Sequence, residues 1–323
     1  MRFPESRPRR LRISKNIRSL VQENMLSVND LIYPIFVVHG DNIKKEIPSL
    51  SGQYHWSIDR FPEILKQVVE AKITTIMLFG VPSYKDAEGS ENYDYNGIVQ
   101  QAIRKTKELH SDLVVITDVC LCQYTDHGHC GVVSESGIIE NDSTHEFLVK
   151  TALSHVESGA DIIAPSGMMD GMIQALRLGL DSHGYQNISI MSYAVKYASY
   201  FYGPFREASA TNLKGDRKTY QMDFSNSRDA IREALLDQDE GADFLMVKPA
   251  GAYLDIISKV KEATLLPAVA YQVSGEYAMI KTTAAAGLID EKGVVLESMM
   301  SMKRAGSDII VTYFAIDIAK WML

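Results

Sequence analysis

The 323-residue sequence predicts a (β/α)8 barrel of the TIM-barrel type, preceded by an extended N-terminal arm. Eight short apolar runs recur along the chain, amphipathic stretches separate them, and their spacing of about 35–40 residues suits eight βα units. The alternative is a doubly wound open sheet, but Val37-Val-His-Gly40 lacks the glycine-rich phosphate turn that usually follows its first strand. We therefore assign residues 1–30 to an arm for subunit contacts and residues 31–323 to the barrel.

The arm is basic whereas the rest of the chain is acidic. Residues 1–18 carry seven basic side chains against Glu5 alone, a net charge of +6, so the remainder carries −14 of the total of −8. Such an arm suits nucleic-acid binding, a transit peptide, or contact with the acidic body of a neighbouring subunit. Apolar side chains favour the subunit contact over a disordered tail, because they give the arm surface to bury; they are Leu11, Ile13, Ile17 and Leu20.

The predicted strands are nearly continuous in Val, Ile, Leu and Met, as expected of strands buried on both faces of a parallel sheet. Between them, Ser143-x-x-Glu146 predicts a capping box at the start of a helix. Gly159, Gly241 and Gly306 each predict the end of a helix directly before a strand. The eight strands are predicted at Leu31–Val38, Ile73–Phe79, Leu113–Val119, Asp161–Ala164, Ile188–Tyr193, Asp243–Val247, Pro267–Tyr271 and Asp308–Tyr313.

Composition indicates a cytoplasmic enzyme. The apolar runs are of strand length, too short for a transmembrane span, and no apolar signal-peptide core follows the basic N-terminus. We therefore expect no membrane partner. The acidic body argues against nucleic acid as a partner, since it would repel the phosphate backbone.

All three cysteines, Cys120, Cys122 and Cys130, fall within eleven positions of one another. In a reducing compartment, grouped cysteines more often bind metal or do chemistry than form disulfides. Three thiolates leave one position of a tetrahedral metal open for water or substrate. His127 and His129 lie in the same loop, and either one as a fourth ligand would make the site structural.

Polar side chains collect at the predicted carboxyl ends of the strands, where barrel active sites lie. Lys196 and Lys248 each follow apolar strand residues. Burial and a second nearby cation both lower the pKa of a lysine, and the neutral amine can attack a ketone to form a Schiff base. The alternative is a rim lysine paired with a carboxylate. Two such lysines beside a thiolate cluster favour chemistry, with two carbonyl substrates or one covalent lysine and an acid/base partner.

The loop after the fifth strand, Tyr200–Gln221, combines flanking glycines with aromatic and arginine residues, which is typical of a lid over an anionic substrate. Arg206 and Arg217 could clamp a carboxylate, or they could be ordinary surface arginines. Asp118 ends the third strand and is either a turn residue or a partner for a substrate amine.

With these motifs the chain resembles the porphobilinogen synthase (5-aminolaevulinate dehydratase) family, zinc-cysteine type, over essentially its whole length. The resemblance implies a hydro-lyase that condenses two 5-aminolaevulinate molecules to porphobilinogen, with loss of two waters, in tetrapyrrole (haem) biosynthesis. It rests on Asp118-Val-Cys-Leu-Cys122, His127-Gly-His-Cys130, Met191-Ser-Tyr193 with Lys196, Phe201-Tyr-Gly-Pro-Phe-Arg206, Gly215-Asp-Arg217, Met246-Val-Lys248-Pro-Ala-Gly251 and Tyr271-Gln-Val-Ser274-Gly-Glu-Tyr277.

The resemblance also implies a role for each site residue. Lys248 forms the Schiff base with the substrate that becomes the propionate side, and Lys196 engages the second substrate. Zinc on the three cysteines polarises the oxygen of that second substrate. The implied substrate-binding residues are Arg206 and Arg217 for the second carboxylate, Ser274 and Tyr313 for the first, Asp118 and Ser166 near the amino groups, and Tyr202 and Gln221.

The family further implies a homo-octamer whose arms embrace neighbouring barrels, and an allosteric magnesium at Glu233. The alternative for Glu233 is a solvated residue on the face of an amphipathic helix. Some relatives replace the cysteines by aspartates and use magnesium in catalysis, so the cysteines here favour zinc. The competing hypotheses are a class I Schiff-base aldolase, which would need a phosphate cradle after the last two strands, and a zinc-stabilised binding module.

Overall fold

The computed structural model describes residues 2–211 and 213–322, so Met1 of the predicted arm and Asn212 and Leu323 of the predicted barrel lie outside the described residues. Eight parallel strands form a closed barrel, because the first also pairs with the last. All eight predicted strands are confirmed, with ends shifted by at most three residues. They are β1 (Leu31–Val38), β4 (Thr75–Val81), β5 (Val114–Val119), β8 (Ile162–Pro165), β9 (Ser189–Lys196), β10 (Phe244–Lys248), β11 (Ala268–Tyr271) and β12 (Ile309–Val311).

Two small hairpins are added to the barrel. β2 (Lys44–Glu46) and β3 (Tyr54–Trp56) are antiparallel, and β3 lies beside the end of β1. β6 (Val132–Val133) and β7 (Ile139–Glu140) form a second antiparallel pair after the cysteine loop. Both hairpins follow carboxyl ends of barrel strands, so they build up the same rim of the barrel.

Helices surround the strands, and α2 shows how a helix of the barrel buries one face. In α2 the buried side chains are Phe61, Ile64, Leu65 and Val68, the i, i+3, i+4, i+7 spacing of a single face. None of the helices in the described part of the chain combines the length and apolar character needed to cross a membrane. The α-helices are α1 (Lys15–Leu20), α2 (Phe61–Glu70), α3 (Ile98–Leu109), α4 (Asn141–Glu157), α5 (Met172–Ser182), α6 (Gly203–Ala208), α7 (Arg228–Asp239), α8 (Leu254–Ala263), α9 (Ser274–Ala285), α10 (Glu291–Arg304) and α11 (Ala315–Met322).

The predicted helix-ending glycines are confirmed. Gly159, Gly241 and Gly306 have φ values of 106°, 105° and 108°, a conformation that L side chains rarely adopt. The aspartate two residues after each glycine accepts a backbone N–H from the start of the neighbouring strand, which fixes the amino ends of three strand pairs. These bonds join Val115 to Asp161 (2.7 Å), Ile190 to Asp243 (2.8 Å) and Ala268 to Asp308 (2.8 Å).

The predicted capping box at Ser143 is wrong, because α4 begins two residues earlier, at Asn141. Contacts with distant segments set this start. The Asn141 side chain donates to the backbone carbonyl of Asp170 (3.0 Å) and accepts from its N–H (2.8 Å). The Thr144 hydroxyl donates to the carbonyl of Glu140, so it closes the first turn from inside the helix.

The described part of the arm contains the 3-10 turn Pro8–Leu11, then α1, and a second 3-10 turn, Val28–Asp30, directly before β1. Its apolar side chains remain uncovered by their own barrel: Leu11 is 55% exposed, Ile13 73% and Leu20 84%. Where the arm meets the barrel, Asp30 forms an ion pair with Lys303 at 3.2 Å. The arm therefore carries apolar surface that a single chain does not bury.

Candidate active site

The two strand-end lysines lie side by side. Lys196 and Lys248 are direct register partners at the ends of β9 and β10, and both are buried. The ring of Tyr193 lies near both amines, with its centroid 5.5 Å from Lys196 Nζ and 5.0 Å from Lys248 Nζ. Lys196 Nζ donates to the carbonyl of Ser166 at 2.6 Å. The two amines therefore face the same pocket, without a rim carboxylate neutralising either one in an ion pair among the described residues.

The amine of Lys248 is buried among aromatic rings. Its Nζ is 4.3 Å from the ring centroid of Tyr271 and 5.1 Å from that of Phe205. Burial, and next the Lys196 ammonium, lower the pKa of Lys248 from 10.5 to about 7. The lowered pKa favours the neutral form of Lys248 that a nucleophilic amine requires.

Asp118 is a buried carboxyl beside the lysines, not a solvated turn residue. Burial raises its pKa, while Lys196, Lys248 and a hydrogen bond from Ser166 act in the opposite direction. The carboxyl is thus placed among the groups that would meet a substrate amine.

The three cysteines come together in the loop after β5. Their sulfur atoms all lie within 4.8 Å of one another, and all three side chains are buried. The thiols of Cys120 and Cys122 hydrogen-bond to Cys130, which lowers the pKa of Cys130. Buried sulfur donors at this spacing fit a thiophilic metal ion, so these residues could hold one.

His127 and His129 do not join the cluster. Within residues 2–211 and 213–322, the group of three or more potential metal-ligating side chains consists of the cysteines alone. His127 Nδ1 accepts from the backbone N–H of His129 (3.1 Å), and both ring nitrogens of His129 contact the lid. The candidate protein ligands among the described residues are therefore the three cysteines, the number that an open metal site requires.

The loop after β9 covers the lysines as the predicted lid. Its described residues comprise the 3-10 turn Tyr200–Tyr202, α6, and a stretch of turns and irregular backbone from 213 to 221. Arg206 and Arg217 both reach the pocket from it. The enclosed cavity measures about 20 Å³, room for about one water molecule, so the lid must open to admit substrate. The lining residues are Asp118, Cys122, Ser166, Lys196, Tyr202, Phe205, Arg206, Thr211, Arg217 and Lys248.

Three other predicted substrate contacts lie in or beside this pocket, each with a protein partner. The Tyr202 hydroxyl donates to the carbonyls of Tyr197 (2.8 Å) and Lys248 (3.2 Å). Ser274 Oγ accepts from the backbone N–H of Phe205 in the lid (3.0 Å). The hydroxyl of Tyr313 lies 3.4 Å from that of Tyr271. Neither Ser274 nor Tyr313 lines the closed cavity.

Glu233 and Gln221 line a different, larger cavity of about 740 Å³. Glu233 is half-buried on α7, and burial, then Asp229 and Asp170, raise its pKa. The amide nitrogen of Gln221 is buried and has no hydrogen-bond partner among the described residues. Gln221 thus lines the cavity of Glu233, while the next residue, Met222, donates its backbone N–H to the carbonyl of Lys196 at 3.1 Å.

The sequence does not predict that the rings of Tyr193, Phe205 and Tyr271 surround Lys248, nor that the lid contacts the cysteine loop. Tyr193 lies three positions before Lys196 on the same strand, and this proximity in sequence is the signal that points to its place beside the amines. Phe205 comes from the lid and Tyr271 from β11, so their meeting required the closed barrel.

Comparison with known proteins extends these findings over the whole chain. A relative from Halalkalibacterium halodurans, named delta-aminolevulinic acid dehydratase, is 56% identical over 98% of this chain and 96% of its own length. One from Synechocystis with the same name is 53% identical over 99% of both chains. The crystal structure of the Toxoplasma gondii enzyme, in complex with the reaction product porphobilinogen, superposes with a TM-score of 0.95 at 47% identity, covering 98% of this chain and 91% of that one. The family model described as delta-aminolevulinic acid dehydratase matches residues 5–321, and the chain belongs to that family.

Proposed function

We propose that this enzyme condenses two molecules of 5-aminolaevulinate to porphobilinogen, a hydro-lyase reaction of tetrapyrrole biosynthesis. The observation that carries this function is the pair of buried, register-matched lysines beside a thiolate cluster. Two keto acids condense and both ketone oxygens leave as water, so two amines facing one pocket suit the reaction. Membership of the dehydratase family argues against both the aldolase and the binding module.

Lys248 is the nucleophile of the first substrate in this proposal. Its neutral amine adds to the ketone carbon, the C–N bond forms, and the ketone oxygen leaves as water once it is protonated. The aromatic rings around Nζ support this role, because they exclude water and keep the amine from being solvated as an ammonium. Lys196 engages the second substrate, and its charge supports the nucleophile by lowering the pKa of Lys248.

The remaining polar groups orient the two substrates. Arg206 and Arg217 suit the carboxylate of the second substrate, because both guanidinium groups line the cavity from the lid. Asp118 and Ser166 suit the amino groups, while Tyr202 holds the Lys248 backbone in place. Ser274 and Tyr313 are proposed to bind the carboxylate of the first substrate. When the lid opens and recloses over substrate, Ser274 would exchange its hydrogen bond from Phe205 for one to this carboxylate.

Zinc is the proposed metal of the cysteine site. Three sulfur donors favour zinc over magnesium, which prefers oxygen ligands. A zinc ion held there would supply a Lewis acid beside the second substrate. Cys122 lines the cavity together with Lys196, which supports that placement.

Glu233 is proposed as a ligand of an allosteric magnesium. Asp170 and Asp229 concentrate negative charge around it and supply the oxygen donors that magnesium prefers. The site is distinct from the lysine pocket, so this magnesium would act on the enzyme and not on the reacting atoms.

The proposed assembly is a homo-octamer in which residues 1–30 contact neighbouring subunits. The exposed Leu11, Ile13 and Leu20 support this, as does the opposite charge of arm and body. We place the enzyme in the cytoplasm, where reduced thiols can serve as metal ligands, with no nucleic-acid or membrane partner.

Pyrrole formation from 5-aminolaevulinate tests the function. The zinc-loaded enzyme is expected to produce porphobilinogen, and Lys248→Met is expected to abolish turnover without loss of fold. Lys66→Met, at a lysine whose side chain is 75% exposed, is the matched control and should keep full activity. Substantial turnover by Lys248→Met would refute the assignment of the nucleophile.

A further inference from the structure

Residues of the lid donate hydrogen bonds to backbone carbonyls of the cysteine loop. Lys214 N donates to the carbonyl of His127 at 3.3 Å. Arg217 Nη2 donates to the carbonyl of Gly128 at 2.8 Å, across 89 positions of sequence. Both acceptors lie in the stretch between the second and third metal-ligating cysteines, so the closed lid rests on the loop that would hold the metal.

His129 adds a side-chain connection whose direction can be read from its partners. Its Nε2 lies 2.8 Å from the carbonyl of Lys214, and its Nδ1 lies 3.2 Å from the hydroxyl of Tyr220. A carbonyl only accepts, so Nε2 carries the proton, and in the neutral ring Nδ1 then accepts from the Tyr220 hydroxyl. Both nitrogens of His129 are thereby committed to the lid.

The Tyr220 hydroxyl extends this chain to a metal ligand. The backbone N–H of Cys130 lies 3.4 Å from the Tyr220 oxygen and can only donate to it. The hydrogen bonds therefore run in one direction, from Cys130 to Tyr220, then to His129, and finally to the carbonyl of Lys214. Moving the Cys130 backbone displaces the donor of the first bond and with it the alignment of the others.

We propose that His129 and Tyr220 are positioning residues that couple metal occupancy of the cysteine site to closure of the lid. A bound metal fixes the backbone of Cys130, and the fixed N–H holds the Tyr220 hydroxyl where the closed lid needs it. Linkage makes this reciprocal: a ligand that closes the lid must tighten metal binding by the same factor. The inference rests on the proposed metal site.

Amide hydrogen exchange of the lid, with and without zinc, tests the coupling on the full-length enzyme. Tyr220→Phe removes the hydroxyl from the chain and keeps the ring. Tyr200→Phe, at a tyrosine that is 84% exposed, is the matched control. In the unsubstituted enzyme and in Tyr200→Phe, zinc is expected to slow exchange of residues 213–221 about tenfold. In Tyr220→Phe, zinc is expected to bind with unchanged stoichiometry and to leave lid exchange at its metal-free rate.

Zinc affinity measured against a competing chelator provides the reciprocal readout. With 4-oxopentanoate, the substrate skeleton without its amino group, affinity should rise about tenfold in the unsubstituted enzyme and stay constant in Tyr220→Phe. The proposed coupling would be overturned, and the metal site kept, by zinc uptake that leaves lid exchange unaltered in the unsubstituted enzyme. The same would follow if Tyr220→Phe showed the same coupling as the unsubstituted enzyme. No zinc uptake by the unsubstituted enzyme would overturn the metal site and the coupling together.

Discussion

Replacing Lys196 by glutamine should raise the pKa of Lys248, because it removes the cation that faces it across the β9–β10 pair. Paired strands lie ~4.8 Å apart, and two side chains in one pocket place their charges roughly 6 Å apart. At an effective dielectric constant of about 20, such charges repel by ~3 kcal/mol, which corresponds to a pKa change of ~2. The pKa of Lys248 should therefore move from about 7 to ~9.

The assay follows trapping of Lys248 alone, so the loss of turnover in the Lys196 variant does not obscure it. 4-Oxopentanoate and cyanoborohydride are added at a series of pH values, and the rate of reductive alkylation of the Lys248 peptide is measured by mass spectrometry. Because the neutral amine attacks the ketone, the rate should rise with pH through the pKa of Lys248. At pH 7 the neutral fraction of the Lys248 amine should fall from about half to ~1% in Lys196→Gln, and the trapping rate should fall with it.

Asp118→Asn provides a control of opposite sign. The Asp118 carboxylate favours the ammonium form of Lys248, so its removal should lower the pKa of Lys248 below 7. A midpoint unchanged in Lys196→Gln would show that burial alone depresses the pKa. Midpoints that move in the same direction in both variants would refute the electrostatic reasoning altogether.

Four further predictions concern separate parts of the molecule. Serine at all three cysteine positions should abolish zinc binding, measured as metal content per chain; unchanged content would locate the metal elsewhere. Arg206→Gln should raise KM about 10–100-fold in steady-state kinetics, because a charge-assisted bond to the substrate carboxylate is lost. Deletion of residues 1–18 should lower the mass of the assembly in sedimentation, and an unaltered octamer would leave the arm without its proposed role. Burial lowers the pKa of His155 from 6.5 to about 3, so below pH 6.5 the unfolded state takes up a proton that the folded state refuses. The free energy of unfolding should therefore decrease as the pH is lowered from 6.5 towards 3, by ~1.4 kcal/mol per pH unit from this group. Denaturant titrations of His155→Leu should lack this pH-dependent loss of stability.

Much of the fold follows from the sequence because each barrel strand is a local, continuous apolar run ending in a polar residue. The proximity of Lys196 and Lys248 is predictable for the same reason, since adjacent parallel strands end at one rim of the barrel. The cysteines were visible as a cluster within a single loop. In these cases, short stretches of chain contain the whole signal.

Features that depend on distant contacts could not be read in this way. The start of α4 is set by the bonds between Asn141 and Asp170, 29 positions apart, which outweigh the local pattern at Ser143. The position of His129 between the cysteines makes it a candidate metal ligand, yet its ring contacts the hydroxyl of Tyr220, 91 positions away. Only the folded chain shows which of several polar partners such a side chain meets.

Reductive trapping with the true substrate tests the central claim most directly. The enzyme is mixed with 5-aminolaevulinate, reduced with borohydride, digested, and mapped by mass spectrometry. One predominant substrate adduct is expected, on the peptide containing Lys248, and it should disappear in Lys248→Met. An adduct on surface lysines only, or an unmodified Lys248 in enzyme that still turns over, would contradict it.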